Sequence, residues 1–181
     1  MRKIGIVVIA VLLGAALAAA AQPPKPGPEH QELAYLVGRW TFEGVYHATR
    51  MGPAAKESGS FEWRWFPGGL QIVRELQAKG GRGGEVEAFN AMGYDPSSGE
   101  YLIFGMSDGG LMGLYRATLS AGAWTLRWSE TSQGRKYDWR GTLKMVPPDT
   151  VLWTAEYSED GKTWTVDQES RDTRVKAAPA R

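Results

Sequence analysis

The sequence predicts an all-β domain, a closed antiparallel up-and-down barrel of about ten strands preceded by a short N-terminal helix. Three observations carry that prediction. From Trp40 onward apolar side chains recur with a period of two, and no later segment has the length and period of a helix. Turn chemistry interrupts these runs at short intervals. The 8 Trp, 7 Tyr and 5 Phe supply the bulk needed to fill or line a barrel interior. Sequential hairpins are the simplest topology for such a chain, and closing the sheet removes its exposed edges. A two-sheet sandwich is the structural alternative.

Before the barrel, Met1-Arg2-Lys3 and the apolar run Ile4 to Leu17 followed by Ala18 to Ala21 have the charge, length and small-residue ending of a signal peptide. We read residues 1–21 as that signal, cleaved before Gln22, and expect a periplasmic or secreted product. The apolar stretch falls short of the roughly 20 residues that span a bilayer, so no stable membrane insertion is expected after cleavage. Residues 22–28 hold four prolines and read as a Pro-rich linker. Residues 29–175 form the barrel domain and 176–181 a flexible tail. A short helix is expected over about 28–36: Pro28 suits a first helical turn, Glu29 favours its positive end, Leu33, Leu36 and Val37 share a face, and Gly38 stops it.

Strands are expected near 40–49, 57–66, 70–78, 85–94, 100–107, 111–119, 123–131, 136–145, 150–158 and 163–172. In the first, Trp40, Phe42, Gly44 and Tyr46 share one face. The same alternation recurs in Phe61-Trp63-Trp65, Trp124-Leu126-Trp128, Tyr137-Trp139-Gly141-Leu143 and Val151-Trp153-Ala155-Tyr157. Pro67-Gly68-Gly69, Gly80 to Gly84, Asp95 to Gly99, Asp108-Gly109-Gly110, Ser120-Ala121-Gly122, Pro147-Pro148-Asp149 and Asp160-Gly161 mark the turns.

Composition narrows the function classes. The formal charge is +1, and −1 once residues 1–21 are removed, which gives no electrostatic reason to expect nucleic acid as a partner. There is no cysteine, hence no disulfide and no thiolate chemistry. The two histidines, His30 and His47, lack metal-ligand spacing and read as surface residues; no metal or other cofactor is called for. No G-x-S-x-G occurs, and Ser107-Asp108 has no histidine placed to act as base. Of the carboxylates available for acid/base work, Asp95 and Asp108 suit turns, Asp138 is unplaced, and Glu130 continues the Trp124-Leu126-Trp128 face either toward a barrel mouth or into solvent. Gly80-Gly81-Arg82-Gly83-Gly84 joins two strands without the helix of a phosphate loop and reads as a mobile hairpin loop. In Glu62-Trp63-Arg64-Trp65, alternation puts both tryptophans on the core face, against a base-stacking surface.

What remains is the interior. Alternation places Arg74, Asn90, Tyr115 and Gln168 among apolar inward positions, Gln168 following Trp164 and Val166. Buried polar groups need partners, so these four form an internal network or face a ligand. With aromatic walls from Trp63, Trp65, Trp128, Trp139 and Trp153, the expected function is binding of a small, largely apolar molecule. The alternatives are a side-chain-filled barrel acting as a structural or protein-interaction module, and an enzyme with acid/base groups at the mouth. The enzyme would need two facing carboxylates, or one held against Arg74 or Arg116. No residue pattern specifies an oligomeric state.

Gly38-Arg39-Trp40, directly after the short helix, resembles the G-x-W signature of lipocalin and calycin barrels. That resemblance implies a Trp40 plug at the closed end with an arginine of the last strand across its indole; the matching position is Arg171, with Arg174 the second choice. Pro28-Glu29-His30, Leu36-Val37-Gly38-Arg39-Trp40, Pro67-Gly68-Gly69-Leu70, Gly93-Tyr94-Asp95-Pro96, Glu100-Tyr101 and Ser107-Asp108 together resemble a bacterial family of secreted lipocalin-like domains of unknown function. It implies a fold and no mechanism. A looser likeness to haem-binding barrels fails, because neither His30 nor His47 lies in a late strand.

Overall fold

The computed structural model describes residues 24–132 and 134–176, so the signal peptide expected at 1–21 and most of the tail expected at 176–181 lie outside the described residues. Ten antiparallel strands, β1 (Gly38–Tyr46), β2 (Ala55–Trp65), β3 (Gln71–Gly80), β4 (Val86–Asp95), β5 (Glu100–Ser107), β6 (Met112–Ser120), β7 (Ala123–Ser132), β8 (Arg135–Val146), β9 (Thr150–Ser158) and β10 (Thr165–Arg174), follow one another as hairpins. β1 pairs with β10 to close the barrel. The expected helix is a single α-turn, α1 (Pro28–Gln31), running into a 3₁₀ turn at Glu32–Tyr35. Its start is capped by His30, whose Nδ1 accepts the Gly27 N–H at 3.0 Å, so this histidine is structural.

The 3₁₀ turn and the first strand close one end. Leu33 and Leu36 are buried under it, and Trp40 inserts beneath them with 1% of its surface exposed. Trp40 Nε1 donates to the Leu36 carbonyl at 2.8 Å. The Arg174 guanidinium lies 4.1 Å from the indole centroid and donates to the carbonyls of Val37 (2.6 Å) and Tyr35 (2.5 Å). The arginine of the plug is therefore Arg174 and not Arg171. Arg171 pairs with Glu43 in register, points outward, and donates to Thr150 Oγ1 at 3.2 Å. Arg174 is opposite Trp40 itself, so the two share the inner face.

Closure makes every second residue an interior one. Large rings are accommodated by glycines across from them: a Cβ at Gly141 would overlap the Trp153 ring, and one at Gly59 would lie 2.6 Å from the Phe42 ring. One irregularity changes a face. A bulge at Asp167, between Val166 and Gln168, leaves Gln168 opposite inward Ala155 but Val166 opposite outward Glu156. Trp164 accordingly stacks outside, under Arg140 at 4.4 Å, so unbroken alternation through Trp164, Val166 and Gln168 is corrected by the bulge.

Replacing Arg174 by alanine removes two charge-assisted hydrogen bonds and the cation over Trp40, and is expected to cost about 3 kcal/mol in denaturant unfolding. Arg171→Ala, at an exposed site, is expected to stay within about 0.5 kcal/mol of the parent.

Candidate functional site

The interior is unevenly filled. Toward the helix end Trp40, Phe42, Phe61, Trp63, Ile72, Met92, Tyr101, Ile103, Trp124, Leu126 and Val151 are buried in one continuous core. Farther from that end, inward-facing Leu76, Tyr115, Trp128 and Trp153 pack against that core but stay partly accessible, whereas the partly accessible Trp65 and Leu143 lie at the helix end, opposite Ile72 and Trp124. In a closed sheet, an inward side chain reaches solvent only through space inside the barrel or at its rim. Trp139 is nearly buried, stacked on Trp128 with centroids 5.5 Å apart and planes 9° from parallel. The indole N–H groups of Trp124 and Trp139 are buried with no acceptor among the described residues.

The inward polar residues form two groups. Trp153 Nε1 donates to Gln168 Oε1 at 3.0 Å, and Gln168 Nε2 donates in turn to Glu57. The Tyr46 phenol lies beside Glu57 and acts on its carboxyl. Burial pushes the Glu57 carboxyl above its ordinary range, offset in part by Gln168 and Tyr46, and pushes the Tyr46 phenol up to about 12. Gln168 thus has an acceptor and a donor within the protein.

Arg74 and Asn90 are different. Arg74 Nε and Nη2 both donate to Asn90 Oδ1, at 2.9 and 2.6 Å, while the guanidinium carbon lies 5.1 Å from each of the Phe61 and Trp63 rings. Burial pulls the Arg74 pKa down to about 10, with Asp172 partly offsetting it, so the group remains charged at neutral pH. Asp172 is 6% exposed and accepts the Ser170 hydroxyl at 3.0 Å. Burial raises it to about 6, against the pull of Ser170 and Arg74. Gly105 leaves room for the Asn90 amide: a Cβ there would sit 2.6 Å from Asn90 Nδ2 and 3.3 Å from the Tyr115 ring. Tyr115 packs edge-on to Trp128 at 5.4 Å, and its phenol is raised by burial and by nearby Glu130.

The mouth is crossed on one side. The β1–β2 loop turns between Thr49 and Gly52, and Met51 packs on the inward cluster Tyr137, Trp139, Ala155 and Tyr157. Arg82, in the β3–β4 loop, anchors that turn. It donates to Asp167 (2.9 Å to Oδ2) and to the carbonyls of His47 and Pro53, with its guanidinium carbon 4.9 Å from the Tyr46 ring centroid. The Gly80–Gly84 segment is therefore a clamp and not a free loop. On the opposite side the wall parts: the β6–β7 ladder ends at Arg116↔Arg127, so Met112–Tyr115 pair only with β5 and Trp128–Ser132 only with β8. Gly113, Tyr115, Trp128 and Glu130 line this split. Its outer edge carries Leu111, Met112 and Leu114, exposed by 58%, 71% and 60%.

Trp63, Trp65, Arg74, Asn90, Tyr115, Trp128, Trp139, Trp153 and Gln168 all face inward, as alternation places them. Glu57 and Asp172 are inward charged residues that the sequence reading did not single out, although period two from Phe61 back to Glu57 reaches the first. Arg116 points outward and bonds Glu100 at 2.7 Å. Two clefts of about 1060 and 920 Å³ lie over β10, β1, β2 and β3, lined mainly by outward polar side chains such as Glu43, Ser58, Lys79 and Arg171. They do not suit an apolar molecule.

Asp172 supplies a pH test. Its folded pKa lies above its ordinary value of 3.8, so the stability it contributes is complete below that value and lost as pH rises through about 6. Unfolding free energy is expected to fall by about 1 kcal/mol between pH 5 and 7. Asp172→Asn should remove most of that slope in chemical denaturation; a flat profile in the parent would contradict the assignment.

Residues 25–170 match the family model described as "Protein of unknown function (DUF1579)". No curated protein matches. Among solved structures the chain is similar to Rv2717c from M. tuberculosis (TM-score 0.57, 11% identity, 83% of this chain and 99% of that one). It is also similar to the S-type phycobiliprotein lyase CPES from Guillardia theta (TM-score 0.56, 10% identity, 84% and 100%). At these identities the likeness concerns the barrel alone.

Proposed function

We propose that this chain, which belongs to the DUF1579 family of proteins of unknown function, binds a small, largely apolar molecule inside its barrel. The observation that carries the reading is the set of inward aromatic and aliphatic side chains, Leu76, Tyr115, Trp128 and Trp153, that remain partly accessible above a dense closed end. The molecule gains by burying apolar surface against rings already packed on the core and on one another. One structural neighbour, the phycobiliprotein lyase, shares this barrel and supports the reading through the fold alone. The signal-like segment at residues 1–21 supports export, so the ligand is met outside the cytoplasm.

An acid/base enzyme is the weaker reading. Glu57 and Asp172 are inward carboxyls with raised pKa, but Glu57 is engaged by Gln168 and Tyr46 and Asp172 is almost wholly enclosed. Glu57 lines the cleft of about 920 Å³, but its carboxylate is already taken up by these protein partners.

Native mass spectrometry of the protein purified from its exported fraction tests both parts. A chain beginning at Gln22 with a reproducible adduct lost on denaturation is the expected result. A bare chain after gentle isolation, with no uptake of added apolar probes, would favour a filled structural barrel.

The split between β6 and β7 is the way in, since Met51 and Arg82 cross the other side of the mouth. Met112→Lys with Leu114→Lys puts charge on its apolar edge. Association of an apolar fluorescent probe is expected to slow severalfold in stopped-flow mixing, with equilibrium affinity unchanged; an unaltered rate would place access elsewhere.

A further inference from the structure

We infer that Arg74 receives an acidic group of the ligand, so that the molecules held in the barrel are apolar acids, carboxylates on an aromatic or aliphatic body. This rests on the interior-binding reading above and adds the ligand's charge to it. Four described arginines are partly buried, and three have a carboxylate at hand: Arg82 with Asp167 at 2.9 Å, Arg140 with Glu156 at 2.5 Å and Arg174 with Asp149 at 3.4 Å. Arg74, the one that faces the middle of the barrel, has none within 4 Å among the described residues. Its protein acceptor is one amide oxygen, Asn90 Oδ1, which takes two of the five guanidinium N–H groups. The other three have no acceptor among the described residues.

The surroundings fix what those donors fit. Phe61 and Trp63 lie close against the guanidinium and help to hold it in place. Asn90 uses its oxygen on Arg74, so its Nδ2, beside Gly105 and Tyr115, is a further donor. The hydrogen-bonding capacity left over on Arg74 and Asn90 is donor capacity, which selects an acceptor. A planar carboxylate matches a guanidinium fork with two parallel hydrogen bonds. A dianionic phosphate would bring a second negative charge near Asp172 with no second cation to meet it. Away from Arg74, toward the open end, the interior continues as Leu76, Trp128 and Trp153, which suits an apolar body and not a polar one.

The test pairs acids with neutral counterparts of equal shape: dodecanoate against methyl dodecanoate, and naphthoate against naphthamide. Binding is read by intrinsic tryptophan fluorescence and calorimetry on the full mature chain at pH 8. Each acid is expected to bind at least about tenfold more tightly than its neutral partner. Arg74→Met should bring the pair within about twofold by weakening the acid and leaving the neutral compound unchanged. Equal affinity of acid and neutral probe for the parent protein overturns the inference while leaving interior binding intact, and so does a preference that survives Arg74→Met. Binding of none of the four probes overturns both readings. The parent comparison decides the matter even if Arg74→Met does not fold.

Discussion

Closing ten strands into one sheet is the constraint on which everything else here depends. It removes the edges at which strands would otherwise pair with other chains, and it assigns every second side chain to a space of fixed width. At the helix end that space is filled: Trp40 is held from above by Leu33 and Leu36 and from the side by Arg174, whose two carbonyl bonds tie the last strand to the turn before the first. The barrel is therefore shut at one end by the same contacts that join its termini. A ligand space, if the interior holds one, has to open toward the other end.

That other end is not symmetrical. Arg82 crosses β2 and β1 to reach Asp167 on β10, and the loop it anchors leans Met51 onto inward aromatics of β8 and β9. A buried ion pair with this many hydrogen bonds is costly to break by removing one partner. The β6–β7 seam, by contrast, has lost its ladder above Arg116 and exposes apolar side chains beside the loss. One side of the mouth is clamped and the other is loosely paired, so the two sides are built by different strands in different ways.

Much of this was readable from the residues. Period-two alternation from Trp40 gave the ten strands, and it placed Trp63, Trp128 and Trp153 on the inner face because turns set the register within each short hairpin. Where reading failed, a non-local contact or a local break in period was responsible. Arg171 and Arg174 lie three residues apart on opposite faces, and only the pairing of β10 with β1 shows which one meets Trp40. The bulge at Asp167 cannot be seen in composition, and it moved Trp164 and Val166 outside. Arg82 sits among glycines that suggest looseness, yet its partners Asp167, His47 and Pro53 come from distant parts of the chain. Pairings separated by more than a hairpin leave no local trace.

The interior polar residues then divide by whether the protein satisfies them. Gln168 is matched at both ends of its amide by Trp153 and Glu57, which is what a structural network looks like. Arg74 is not matched: burial weakens its hold on its proton, Asp172 compensates only in part, and its hydrogen bonds leave most of its donors over. A fold selected for stability alone would favour an apolar side chain here or a carboxylate in contact, because an incompletely paired buried charge is destabilising. Holding the guanidinium in place with Phe61, Trp63 and Asn90 keeps that cost in the free protein. The arrangement is accounted for when an acceptor arriving with the ligand completes it.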